Sequence, residues 1–72
     1  MRGITVDGGF PRRLRELREH RRVSRRVLSE LCGLSKNMIA RYERGEKVPT
    51  GESLECLADF FGVTMDDLWG RK

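Results

Sequence analysis

The sequence predicts an all-α fold: one domain of five short helices around a single core. Three observations carry this. Apolar residues recur at three- and four-residue spacing in several short runs, and no stretch alternates with period two for long enough to form a core strand. Ser24, Ser35, Thr50 and Thr64 each stand just before such a run, where a hydroxyl can cap a helix. Gly33, Gly45 and Gly62 stand just after one. With 72 residues the chain suffices for one domain with a thin core.

In order, residues 1–9 (MRGITVDGG) read as a flexible arm, with at most a short extended piece at Ile4-Thr5-Val6. Phe10-Pro11 opens the domain of residues 10–70, because proline fits the first position of a helix. Helix 1 is expected at about 11–21, with a narrow inner stripe of Leu14, Leu17, Arg18 and Arg21. Helix 2, about 25–32, is capped by Ser24 and turns Val27, Leu28, Leu31 and Cys32 inward. Helix 3, about 36–43, is capped by Ser35 and anchored by Ile39 and Tyr42. EKVPT is a loop, and Thr50 caps helix 4, about 51–61, with Leu54, Leu57, Ala58 and Phe61 inward. Thr64 caps helix 5, about 65–69, whose first turn places Asp66 and Asp67 at the favourable end of the helix dipole. Residues 71–72 are a tail.

Charge narrows the function. The net charge is +4, but residues 1–44 carry 12 Lys/Arg against 5 Asp/Glu, and residues 45–72 carry 3 against 6. A basic half beside an acidic half is the electrostatic footprint of a polyanion binder. No signal segment and no membrane-length apolar run is visible, so a soluble, cytoplasmic protein with no membrane partner is expected. Cys32 and Cys56 form no CxxC pair, and the single His20 cannot complete a zinc set with them, so no metal and no cofactor are expected. They read as two small apolar residues in a reduced compartment. No nucleophile–base pair accompanies His20, which argues against an enzyme. Glu16 and Glu19 read as partners for neighbouring arginines.

Helices 2 and 3, joined by a turn of about three residues, form a helix-turn-helix. Small Ser29 lets the two helices cross closely, and Gly33 permits a sharp turn. With Leu34, Ile39 and Tyr42 fastening helix 3 to the core, Lys36, Asn37, Met38 and Arg41 point outward. That set suits a DNA major groove: Arg and Lys to guanine O6 and N7, Asn to adenine N6 and N7, Met to a thymine methyl. Arg25 and Arg26 at the start of helix 2 can hold one phosphate, and Ser35, Arg44 and Lys47 can hold others.

RLRELREHRRVSRRVLSELCGLSKNMIARYERGEKVPT resembles the Cro/lambda-repressor type, or XRE-type, helix-turn-helix family, and ESLECLADFFGVTMDDLW resembles that family's last two helices. The LCGLS turn, IARYERG and FFGVTMDDL are the most specific pieces, and the likeness covers about residues 10–70. The resemblance implies base reading from Lys36, Asn37 and Arg41, with Met38 nearby, and a bacterial or phage origin. Arg25 stands where the family commonly has a phosphate-binding Gln, Ser29 where it often has Ala, and Gly51 where it usually has Leu. The first change implies a more salt-dependent contact. The second is mild if the Ser29 hydroxyl bonds back to its own helix. The third implies that helix 4 starts late or packs loosely. Arg18 and Glu43 resemble the family's partly buried ion pair between helix 1 and the end of helix 3. Cys56 stands at a commonly exposed polar position. Phe60, Met65 and Trp69 exceed what a minimal core needs, and family members often dimerise through their C-terminal helices, so these three are the expected homodimer interface, although Trp69 could instead close the core.

Three functions fit: a sequence-specific transcriptional repressor on double-stranded DNA, a DNA-binding antitoxin that also masks a toxin protein, or a protein-interaction module on the same fold. The basic face disfavours the last. An antitoxin needs a toxin-binding segment, for which only residues 1–9 or the acidic C-terminal helices are available.

Overall fold

The computed structural model describes residues 9–70. Of the expected arm at residues 1–9 only Gly9 is described, in the cap position of the first helix, and the expected tail at 71–72 lies outside the described residues. Five helices follow in order: α1 Phe10–Arg21, α2 Arg25–Leu31, α3 Met38–Glu43, α4 Gly51–Phe61 and α5 Met65–Trp69. Helix α1 packs on α3 and α5, α2 on α3, and α4 on α5. The core is formed by Phe10, Leu14, Leu28, Ile39, Tyr42, Leu57, Ala58, Phe61 and Leu68. Among the described residues, no helix is long and apolar enough to cross a membrane.

The caps explain most boundaries. Ser24, Thr50 and Thr64 each accept a hydrogen bond from the backbone N–H three residues on, at 3.0–3.1 Å. Helix α4 therefore starts at Gly51 itself, and the expected late start does not occur, because Thr50 supplies the cap whatever follows it. The space above Gly51 is open: a Cβ built there would meet nothing within 4 Å.

Ser35 does not cap α3. The helix begins at Met38, three residues later, with Asn37 in the cap position and no side-chain cap bond. Instead the Ser35 carbonyl accepts from Met38 N at 3.0 Å, closing a tight turn over Lys36 and Asn37. The missing cap comes from another helix. Ser29, fully buried, accepts from Ile39 N at 3.4 Å. Its hydroxyl thus bonds across to α3, not back along α2, and meets one of the N–H groups that a helix start leaves unpaired.

The inward face of α2 is also narrower than its apolar pattern. Leu28 and Ser29 are buried and Cys32 is half-buried, but Val27 is 45% and Leu31 58% exposed. At about 100° per residue, Leu28, Ser29 and Cys32 share one side, and Val27 and Leu31 fall off its edge. The close crossing at Ser29 selects which side turns inward.

Candidate nucleic-acid interface

The turn between α2 and α3 is closed by two backbone bonds, Gly33 N to Glu30 O at 3.1 Å and Leu34 N to Ser29 O at 2.8 Å. Gly33 sits at φ +67°, a conformation that a Cβ would strain. This turn, Ile39 and Tyr42 fix α3 so that Arg41 faces outward. Lys36, Asn37 and Arg41 are all exposed. Met38 departs from the expected outward set: it is half-buried and packs against the core, so only part of its side chain is on the surface. The expected phosphate ligands Arg25, Arg26, Ser35, Arg44 and Lys47 are exposed on the segments before and after α3.

Several of these cations already have carboxylate partners. Arg25 Nε donates to Glu43 Oε1 at 3.0 Å. Arg26 lies 3.7 Å from Glu30. Arg44 donates twice to Glu46, at 2.7 and 3.1 Å, and Arg41 Nε is 3.9 Å from the same carboxylate. The hydrogen bond from Arg44 holds the Glu46 carboxyl below its ordinary range, and the same bond pushes the Arg44 guanidinium up. Glu46 is thus an ionised acidic group inside the basic face, tying one expected base reader to one expected phosphate ligand. Sequence reasoning gave it no role, although its place just after Arg44 in the turn was the available signal.

Beneath this surface lies an ion pair that fastens it. Arg18 Nε donates to Glu43 Oε2 at 2.6 Å and Nη2 to Oε1 at 3.3 Å, with the two side chains only 10% and 5% exposed. Arg18 Nη1 also donates to the Val23 carbonyl at 3.1 Å, ahead of α2. One guanidinium therefore links α1, the start of α2 and the end of α3. On the outer face of α1, Arg12 pairs with Glu16 and Arg15 with Glu19, both at 3.2 Å.

Away from α3, Phe60 is half-buried, with its ring against Phe61 and the Arg21 guanidinium 5.6 Å above it. Arg21 also donates to the Phe60 and Phe61 carbonyls at 3.4 and 3.0 Å, tying α1 to the end of α4. Trp69 stacks on Phe10 at 5.6 Å yet stays 37% exposed, and Met65 is 38% exposed. Both border an open groove of about 280 Å³ lined also by Pro49, Thr50, Gly51, Leu54 and Asp66. Among the described residues, no three or more His, Cys, Asp or Glu side chains gather as a metal site would require.

This arrangement has counterparts. A family model described as a helix-turn-helix domain matches residues 10–69. The HTH-type transcriptional regulator AnsR of Bacillus subtilis is 42% identical over 60 residues, covering 83% of this chain and 52% of AnsR. The HTH-type transcriptional activator BcrR of Enterococcus faecalis is 36% identical over 59 residues, 82% of this chain and 29% of its own. The cryptic phage CTXphi transcriptional repressor RstR of Vibrio cholerae is 34% identical over 59 residues, 82% of this chain and 53% of its own. The matched region thus spans about half of AnsR and RstR and under a third of BcrR. Among solved structures, the P22 c2 repressor in complex with a synthetic operator superposes with a TM-score of 0.81 at 27% identity, covering 88% of this chain and 96% of that one. The restriction-modification controller protein C.AhdI from Aeromonas hydrophila gives 0.78 at 28%, covering 89% and 97%. The chain belongs to the helix-turn-helix domain family, in its Cro/lambda-repressor-like form.

Proposed function

We propose that this chain is a sequence-specific double-stranded DNA-binding transcriptional regulator that acts as a repressor and reads the major groove with α3. The observation that carries the reading is the exposure of Lys36, Asn37 and Arg41 along one edge of the helix-turn-helix, flanked by the exposed cations Arg25, Arg26, Arg44 and Lys47. In this reading Lys36, Asn37 and Arg41 contact base edges, and the surface part of Met38 lies against a thymine methyl. Arg25, Arg26, Ser35, Arg44 and Lys47 hold phosphates and set the register. Arg25 reaches a phosphate with its terminal nitrogens while its Nε stays on Glu43. Repression follows from occlusion: a domain seated on a promoter excludes other proteins from that groove.

The protein works as a homodimer. Met65 and Trp69 offer exposed apolar surface at the groove, whose lining does not include Phe60. A two-fold dimer would place two copies of α3 about 34 Å apart, one DNA turn. The three named relatives support regulation over toxin neutralisation, since each is a transcriptional regulator by name.

The test is selection of bound duplexes from a random pool at about 150 mM salt, where non-specific binding is weak. One recovered motif, as two inverted half-sites, is the expected result. Recovery of no motif from folded protein would refute sequence reading.

A further inference from the structure

Cys32 is the C-terminal cap residue of α2, and Cys56 lies within α4. They are 24 positions apart in the chain, yet their Sγ atoms lie 2.8 Å apart. Both cysteines are half-buried, so a small solute can reach the pair. Cys32 packs against the core, as its apolar reading implies. Each has the other as its neighbour, within about 1 Å of the ~2.05 Å of a covalent S–S bond.

We propose that Cys32 and Cys56 form a modification site, at which a peroxide oxidises the dithiol to an intramolecular disulfide that staples the helix-turn-helix to α4. The chemistry balances with hydrogen peroxide as the oxidant. The Cys56 sulfur attacks one peroxide oxygen, the O–O bond breaks, and the departing hydroxide takes the thiol proton to leave as water. The Cys32 sulfur then attacks the Cys56 sulfenic acid. The S–O bond breaks as the S–S bond forms, and the hydroxyl leaves with the Cys32 proton as a second water. Two thiols lose two electrons and the peroxide gains them.

Burial, then the hydrogen bond and charge of Cys56, push the Cys32 thiol up to about 12. The roles of the two sulfurs can exchange without changing the product. The sulfurs are adjacent before any bond forms, so the cross-link requires no rearrangement of α3. It closes a long loop of chain, which restricts the unfolded state and raises stability. Cys32 directly precedes Gly33, so the bond anchors the turn that positions α3.

The experiment treats the reduced 72-residue chain with one equivalent of hydrogen peroxide. The expected product is a monomer lighter by two hydrogen atoms, with Cys32 linked to Cys56 in a non-reducing peptide map. Its melting temperature should exceed that of the reduced chain by about 10 °C or more. Dithiothreitol should restore both the mass and the melting temperature. Cys32→Ser and Cys56→Ser, which melt before oxidation, should each gain no thermal stability from peroxide. Disulfides only between chains, oxygen addition without a cross-link, or a cross-linked monomer with an unchanged melting temperature would each overturn the proposal.

Discussion

At Glu43 one carboxylate serves two arginines in different surroundings. The Arg18 side chain is 10% exposed and that of Arg25 is 50% exposed, and both bond Glu43 at 3.0 Å or less. The two contacts should therefore differ in weight. Removing the charge with Glu43→Gln leaves the buried Arg18 only the exposed Glu19 carboxylate, 3.9 Å away, as a counter-charge, and the expected cost is about 3 kcal/mol in urea unfolding. Arg25→Ala removes a half-exposed partner and should cost under about 1 kcal/mol. Equal losses would mean that burial does not decide the value of this site. These residues also show what was legible. The Arg18–Glu43 pair was expected only through a family likeness, because nothing in a separation of 25 residues indicates contact. Exposure of Lys36, Asn37 and Arg41 followed from local spacing around Ile39 and Tyr42. The Cys32–Cys56 contact was not legible, since it depends on how α2 and α4 pack. Glu46 was overlooked because its role is to neutralise neighbours, and charge counts by half-chain conceal that.

At the scale of elements, the end of α1 is the exception that the sequence did not signal. Helices α2, α3 and α4 are each followed by a glycine at positive φ, Gly33, Gly45 and Gly62. Helix α1 ends in the same geometry at Arg22, φ 56°, with Arg22 N on Glu19 O at 3.1 Å and Val23 N on Arg18 O at 3.2 Å. An arginine bears a steric cost there that glycine does not, partly offset by glycine's looser unfolded chain. Arg22→Gly should therefore stabilise the domain by about 0.5–1 kcal/mol, seen as a rise of a few degrees in thermal melting. A fall would show that the Arg22 side chain contributes more than its backbone costs. At the other edge of the helix-turn-helix, Glu46 holds Arg44 and lies near Arg41. Glu46→Gln should tighten binding to a mixed-sequence duplex several-fold and steepen its salt dependence. Unchanged affinity would mean that neither arginine is restrained by that carboxylate. The caps Ser24, Thr50 and Thr64 were readable because capping is local. The start of α3 was not, because Ser29 on another helix does the work assigned to Ser35.

The whole molecule combines an exposed basic edge at α2 and α3 with an apolar groove bordered by α4 and α5. Met65 and Trp69 flank the groove, and Gly51 leaves it open. Trp69 also stacks on Phe10, so Met65 gives the cleaner test. Sedimentation equilibrium should show a concentration-dependent dimer for the native chain and a monomer for Met65→Glu. A monomer for both would refute the dimer. Base reading by α3 is tested most directly by selecting duplexes from a random pool with the native chain and with Arg41→Ala side by side. The expected result is one motif for the native chain and the same motif with a single relaxed position for the variant, a loss of about 1–3 kcal/mol at that base pair. An unchanged motif for Arg41→Ala, or a loss spread evenly over all sequences, would contradict it.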